Sequence, residues 1–367
     1  MQRIPPEGGT PNCRMKKYRI AERRRAIERG MDFIYRVASD AQIFDDYGHD
    51  LLLFFNIIAQ TAQDGRLRAT ARKMGRERAR QWRRDYSALP SEMDADTVAH
   101  MVFGSSAADG LGVRDAAFKS GICRAARRFS AKDYFSFDPS TEPPPSDVPK
   151  YCDCGESNSR GQTVCASCRK PLCMESRYSV WCVALARSFA GDRYGARLGA
   201  RLADVIKWLP VMRPYRGREN GKNEDFNDSV YAVTHVVYTL NGYGVYNLSP
   251  VLLADEFDFL KANQQEAIAL KDADMLGEFL DALQSFGLTD NDPLIRAGID
   301  FLLSEQNTDG SWGDKNDDAF NRYHATWTAI DGLREYRWQG EGLSFPRLKS
   351  VLERAAKDST ARMKTTS

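Results

Sequence analysis

Apolar residues in this chain recur in blocks at helical spacing, and the blocks are of two kinds. One kind is apolar and aromatic almost throughout: DLLLFFNIIA, VAHMVFGSSA, YSVWCVALARSF, SVYAVTHVVYTL, MLGEFLDALQSF and YHATWTAIDGL. The other has an apolar stripe and a charged face, as in RLRATARKMGRERARQWRRDY and LIRAGIDFLLSEQ. Almost no segment alternates with the period of two that a half-buried strand requires. The pattern predicts an all-α chain in which apolar helices are buried and amphipathic helices shield them.

The two kinds alternate along the chain. The apolar helices start near Asp45, Asp94, Arg177, Asp228, Asp272 and Asn321, and turn glycines fall at Gly65, Gly110, Gly191, Gly242, Gly287 and Gly332. Steps between turns are about 45 to 50 residues, except one of about 80 between the second and third. Six helical hairpins of this length predict an (α/α)6 toroid, with inner helices around a central cavity and outer helices around them. The expected organisation is an unordered N-terminus (1–16), repeats one and two (17–138), an insert (139–175), repeats three to six (176–360) and an unordered tail (361–367).

The long step holds the insert. PSTEPPPSDVPK reads as a Pro-rich linker, and YCDCGESNSRGQTVCASCRKPL follows it. Cys152, Cys154, Cys165 and Cys168 form C-x-C-x10-C-x2-C, which resembles the paired knuckles of a zinc ribbon, with one residue inside the first pair where ribbons usually have two or more. Four thiolates suit tetrahedral Zn2+, and a loop without a core gains roughly 10–16 kcal/mol of folding free energy from such an ion. Disulfides or free thiols are the alternative. Cys13, Cys123, Cys173 and Cys182 have no metal-type partner in sequence and read as buried or incidental. The insert is expected to be a staple first and a docking point for a protein partner second.

Composition narrows the setting. Hydrophobic content of 42%, charged content of 28% and a formal net charge of +2 are ordinary for a globular chain and give no grounds for a nucleic-acid partner. No window reaches the ~18 apolar residues of a membrane span, and MQRIPPEGGTPN lacks the apolar run of a secretory signal. Metal-type cysteine spacing without an export signal points to a reducing, cytoplasmic location. The Arg/Lys series in RLRATARKMGRERARQWRR reads as a solvated face, with phosphate or an acidic partner as the other option.

The chain has four histidines, His49, His100, His235 and His324, and all fall on the apolar helices beside carboxylates. Asp45 with His49 and Asp96 with His100 are i, i+4 pairs, which share one helix face. Asp228 with His235, and His324 with Asp331, are seven apart, one face but about 10.5 Å of rise. Closing the ring would gather these groups on its inner wall, as metal ligands or as acid–base machinery. Aromatic residues on the same helices, Phe54, Phe55, Phe103, Tyr178, Trp181, Tyr231, Tyr238, Phe279 and Trp327, read as space-filling first and as cation-stabilising second.

Family resemblances sharpen these expectations. Arg296-Ala297-Gly298, Phe301-Leu302, Gln306, Gly310 and Trp312 resemble the QW motif of terpene cyclases and related prenyltransferases. The resemblance implies a toroid in which the motif joins an outer helix to the next inner one, Gln capping helix ends and Trp packing over it. GSWGDKNDDAFNRYHATWTAIDGL resembles the zinc-binding segment of protein prenyltransferase β subunits. Tyr323-His324 stands at the family's Tyr-His-Thr ligand, with Ala325 for Thr, and DSVY at its Asp-x-Cys-Tyr, with Val230 for Cys. This implies an inner ion (Zn, Fe or Mg) held by Asp228, His324 and, in place of the missing thiolate, His235. FDDYGHD resembles the aspartate-rich motif that binds diphosphate through Mg2+ in ionisation-type terpene synthases; a helix start capped by Asp is the alternative. The cyclases' Asp-x-Asp-Asp acid has only partial counterparts, DAD at 94–96 and 272–274 and DEFD at 255–258.

The resulting expectation is a metal-assisted enzyme whose central cavity acts on a largely apolar, isoprenoid-like small molecule by cyclization, lyase chemistry or oxidation. His49, His100, Asp228, His235 and His324 would be catalytic, and Asp45, Asp46, Asp50 and Asp96 would hold the cofactor. The rivals are a non-catalytic scaffold that binds a protein or nucleic acid, and a prenyltransferase-like β subunit with a tightly bound second helical chain.

Overall fold

The computed structural model describes the backbone of residues 11–365 and the side chains of residues 19–357. Of the termini expected to lack order, 1–10 and 366–367 lie outside the described residues, while helix covers 11–16 and 361–365. The helices are α1 (Pro11–Val37), α2 (Ala41–Thr61), α3 (Gly65–Asp85), α4 (Ala95–Gly110), α5 (Ala116–Ala126), α6 (Ala131–Phe135), α7 (Arg177–Tyr194), α8 (Leu202–Ile206), α9 (Leu209–Met212), α10 (Phe226–Asn241), α11 (Ala254–Ala269), α12 (Ala273–Ser285), α13 (Pro293–Glu305), α14 (Ala319–Leu333) and α15 (Lys349–Thr365). Among the described residues β-pairing is limited to isolated bridges, so the all-α class holds.

Aspartates start most of these helices. Asp40, Asp64, Asp94, Asp272 and Asp318 are N-caps whose carboxylates accept from first-turn backbone N–H groups. The six apolar helices are α2, α4, α7, α10, α12 and α14. Each packs against the next in that order, and α14 also touches α2, so the packing order returns to its start. The amphipathic helices lie against them: α3 on α2 and α4, α5 and α6 on α4, α8 on α7, α11 and α13 on α12, and α1 on α14.

Three devices hold the circuit where its ends meet. Trp312 is fully buried, and its Nε1 donates to Leu302 O at 2.7 Å, clamping the α13–α14 loop. Gln306 Nε2 donates to Gly310 O within that loop and to Ala26 O of α1 at 2.8 Å. A Cβ on Gly30 would lie 2.9 Å from Trp312 Cζ3, so the glycine lets α1 seat against the indole. The second device is arginine: Arg29 and Arg36 of α1 donate to the carbonyls of Asn307 and Asp309. The third is a strap, residues 334–345. It pairs with the end of α2 through Gln63 N to Glu335 O and Arg337 N to Thr61 O. It then pairs with the far side through Gln339 N to Val245 O and Ser344 N to Leu240 O, just beyond and at the end of α10.

Several expectations change. α2 starts at Ala41 rather than near Asp45, because Asp40 is its cap. Gly191 and Gly332 are inside α7 and α14 rather than at turns. A Cβ on Gly191 would meet Ala196 O at 2.7 Å and one on Gly332 would meet Gly277 O at 3.2 Å, so both are close-approach positions. The helix lying on α14 beside α2 is α1, which the repeat spacing left unassigned. The insert carries two isolated bridges, Pro149 with Met174 and Val164 with Pro171.

Candidate functional site

One cavity of 190 Å³ is reached by all six apolar helices, through Asp50 (α2), Phe103 (α4), Ala186 (α7), His235 (α10), Glu278 (α12) and His324 (α14). Larger depressions of 340 and 570 Å³ lie elsewhere, lined in part by α1 and by the strap respectively. The chamber differs from both in drawing its lining from all six apolar helices.

On α12, Asp274, Glu278 and Asp281 are spaced four and three apart, which puts them on one face. Asp274 is the most heavily satisfied. His324 Nδ1 lies 2.9 Å from its Oδ1, Thr328 Oγ1 donates to the same oxygen, and Tyr231 OH donates to Oδ2 at 2.8 Å. Burial works against ionising Asp274, but the His324 charge and these hydrogen bonds outweigh it and hold the carboxyl below its usual range. Burial likewise opposes His324, yet Asp274 raises the imidazole to about 9. The two form a half-buried ion pair, and the Nε2–H of His324 is the donor not spent on Asp274.

Glu278 receives one hydrogen bond, from Thr234 Oγ1 to Oε2. Burial and then the neighbouring Asp274 charge push its carboxyl up to about 8, so it is mostly protonated at neutral pH. Asp281 is raised to about 7 by burial and by Asp331 across the chamber. Asp331 itself is fully engaged, accepting from Trp327 Nε1 at 2.7 Å and Arg334 Nε at 2.6 Å.

His235 Nδ1 sits 2.8 Å from the Tyr231 carbonyl, which can only accept. The proton is therefore on Nδ1 and Nε2 is a free base. Burial holds this imidazole neutral, with its pKa lowered to about 4.

The four histidines thus divide. His235 and His324 line the chamber with Asp50, whereas His49 and His100 stack on each other with ring centroids 4.0 Å apart. His49 is buried, lowered in pKa by that burial, and lies 3.7 Å from Asp50. Asp45 and Asp46 are exposed in the second turn of α2, beyond the Asp40 cap, and Asp46 is engaged by Gln42. Asp96 pairs with Arg187 at 2.8 Å. Asp228 accepts from Ser176 Oγ at 2.7 Å and does not join His235 and His324. Among the described residues the four insert cysteines alone bring three or more His, Cys or carboxylate ligand atoms within 4.8 Å of one another. The inner ligand set expected from Asp228, His235 and His324 is therefore not gathered.

The cysteine cluster does fit a metal. Cys152 and Cys168 sulfurs are 3.4 Å apart and Cys154 and Cys165 sulfurs 3.6 Å, the spacing of thiolates around one tetrahedral ion. Backbone N–H groups of Cys168 and Ser167 point at Cys165 and draw its thiol down to about 6 against the opposing effect of desolvation. Gly155 and Arg169, each directly after a cysteine pair, take positive φ (82° and 61°), which turns the chain back at both knuckles.

No family model, curated protein or solved structure matches the chain. Among the described residues no helix is long and apolar enough to cross a membrane.

Proposed function

We propose that the six apolar helices form an (α/α) toroid whose chamber is the active site of an enzyme working by proton transfer on a small, largely apolar molecule. One observation supports this above others: on a single face of α12, Asp274 is kept ionised while Glu278, one turn on, is kept protonated. Environments that drive neighbouring carboxyls apart in pKa are how a fold separates acid and base roles at neutral pH. Glu278 delivers a proton to the substrate, the His324 imidazolium polarises it through Nε2–H, and the free Nε2 of His235 removes a proton from an adjacent atom. Proton in and proton out balance, so the class is isomerisation, elimination or cyclization, as in terpene cyclase-like lyases. Asp228, His235 and His324 are not carried forward as ligands of an inner ion, because their positions do not converge.

We assign a structural Zn2+ to Cys152, Cys154, Cys165 and Cys168, a choice that suits a reducing, cytoplasmic setting. A scaffold role for the insert has one point in its favour, the exposure of Tyr151 (75%) and Val164 (46%) on a loop that needs neither for a core.

The catalytic reading is tested by incubating purified chain with a small-molecule extract and following all components by mass spectrometry. The expected result is one compound consumed and an isomer or elimination product formed, with the rate falling about 100-fold or more in Glu278→Gln. No compound consumed, or equal consumption by Glu278→Gln, overturns it.

A further inference from the structure

The chamber's charges say what kind of molecule it takes, given the reading of the chamber as a ligand site. Asp281 is 6% exposed, lines the chamber, and its Oδ1 has no hydrogen-bond partner. The donors around it leave that oxygen unserved. Arg334 and Trp327 are on Asp331, Tyr336 OH donates to Asp331 O and otherwise reaches the Asp281 carboxyl, and Tyr238 OH donates to Glu278 O. A buried carboxylate oxygen without a donor is costly, and native proteins rarely leave one so. Glu278, three residues earlier on the same helix, is near enough for one donor group to bridge both carboxyls.

The cations of the chamber are already matched by carboxylates. His324 is paired with Asp274 and Arg334 with Asp331, and His235 is neutral, so His324 Nε2–H can donate a hydrogen bond but no unmatched positive charge is left for an anion. The remaining walls include the aromatic side chains of Tyr238, Tyr243 and Trp327, a residue type whose ring faces attract positive charge. A diphosphate or carboxylate would enter against Asp50, Glu278, Asp281 and Asp331 with no free cation to meet it.

We propose that the chamber binds a small organic amine as its ammonium ion, with N–H donors on the Asp281 and Glu278 carboxyls and the hydrocarbon part against Tyr238, Tyr243 and Trp327. A positive charge there stabilises the ionised form of Asp281, the stronger of the two acids, so binding near pH 7 releases its proton while Glu278 keeps the one it delivers in the catalytic step. The other groups facing this pair are Asp274 on α12, His324 and Asp331 on α14, Tyr231, His235 and Tyr238 on α10, Cys182 on α7, Asp50 on α2, Tyr243 just beyond α10, and Arg334 and Tyr336 on the strap. Of these, His324 titrates highest among the imidazoles, at about 9, so it stays charged through the window in which Asp281 gives up its proton.

Calorimetry on the full chain tests this with phenethylammonium and its neutral counterpart 2-phenylethanol. The expected result is at least tenfold tighter binding of the ammonium, with a heat that varies with buffer ionisation enthalpy because a proton leaves. Asp281→Asn should lower ammonium affinity at least tenfold and leave the alcohol unchanged, with its thermal melt confirming that it folds. Equal affinity for the two probes, no binding of either at millimolar concentration, or an Asp281→Asn variant with unaltered ammonium affinity overturns the proposal. The two tests fail separately. Ammonium binding without any compound consumed removes catalysis and keeps the amine, whereas consumption of a neutral compound without ammonium binding does the reverse.

Discussion

Three carboxyls share one face of α12, Asp274 half-buried and Glu278 and Asp281 buried, and their neighbours set them apart. Asp274 has three donors, one of them the His324 imidazolium, Glu278 has one hydroxyl, and Asp281 has an oxygen with none. This difference makes a prediction about stability. The folded-state pKa of Glu278, about 8, lies above the ordinary value of 4.5 that the unfolded chain approximates. Between those values the unfolded state loses its proton while the folded state keeps it, so the unfolded state binds fewer protons and stability falls as pH rises. The penalty is absent below the lower value and complete above the higher one, with an upper bound of about 5 kcal/mol. Gln reproduces the protonated shape and can still accept from Thr234. Glu278→Gln should therefore match the wild type in melting temperature near pH 4.5 and exceed it increasingly up to pH 8. A gap between the two that does not change with pH would mean that Glu278 is ionised and solvated.

At the scale of elements, what could be read from the sequence was whatever depends on local spacing. Apolar blocks, Asp caps and the Gln306–Trp312 turn all follow from short-range pattern, and so did the placement of His235, His324 and Asp50 on helices lining one cavity. What could not be read depends on neighbours distant in the chain. The arginines of α3 read as a solvated face, but several reach to the carboxyl ends of inner helices. Arg68 donates to Ala62 O and Gln63 O, Arg72 to Ala59 O, and Arg76 to Leu111 O, each satisfying carbonyls a helix end leaves open. Asp274 entered only as part of an incomplete acid motif, and Glu278 and Asp281 were not singled out within their apolar helix, although their spacing of four and three was the available signal. Gly332 was taken for a turn, whereas it and Gly277 bring α12 and α14 together. A Cβ on Gly277 would stand 2.3 Å from the Thr328 carbonyl carbon, a backbone atom that cannot rotate away, while one on Gly332 meets its nearest neighbour, the Leu280 Cβ, at 3.1 Å. Alanine gains about 0.5–1 kcal/mol in helix propensity at either site, and overpacking costs about 1–3 kcal/mol. Gly277→Ala should therefore lose about 2 kcal/mol in urea unfolding, and Gly332→Ala should stay within about 1 kcal/mol of wild type. Equal effects would show that α12 can slide along α14.

At the scale of the whole molecule, the helical circuit and the cysteine insert have different sources of stability. The circuit rests on one continuous apolar core that runs from α1 to α15, and no residue from 150 to 175 belongs to it. The insert is tied on by polar contacts. Trp208 Nε1 donates to Pro139 O at 2.8 Å, Lys207 Nζ to Ser140 O at 2.6 Å, and Arg160 bridges Glu142 and Asp147. None of these contacts uses a cysteine, so the linker stays docked whether or not the sulfurs hold an ion. Without apolar burial, the loop itself depends on its cross-link. Cys152→Ser combined with Cys165→Ser should abolish one bound zinc per chain and open the loop around Arg160 to trypsin. The far-UV helical signal and the melting midpoint of the circuit should move little. In the unaltered protein the four thiols should react with a thiol reagent only after a chelator is added. Reaction only after a reductant would identify disulfides instead, and a circuit that melts together with the loop would show that the insert is part of the core.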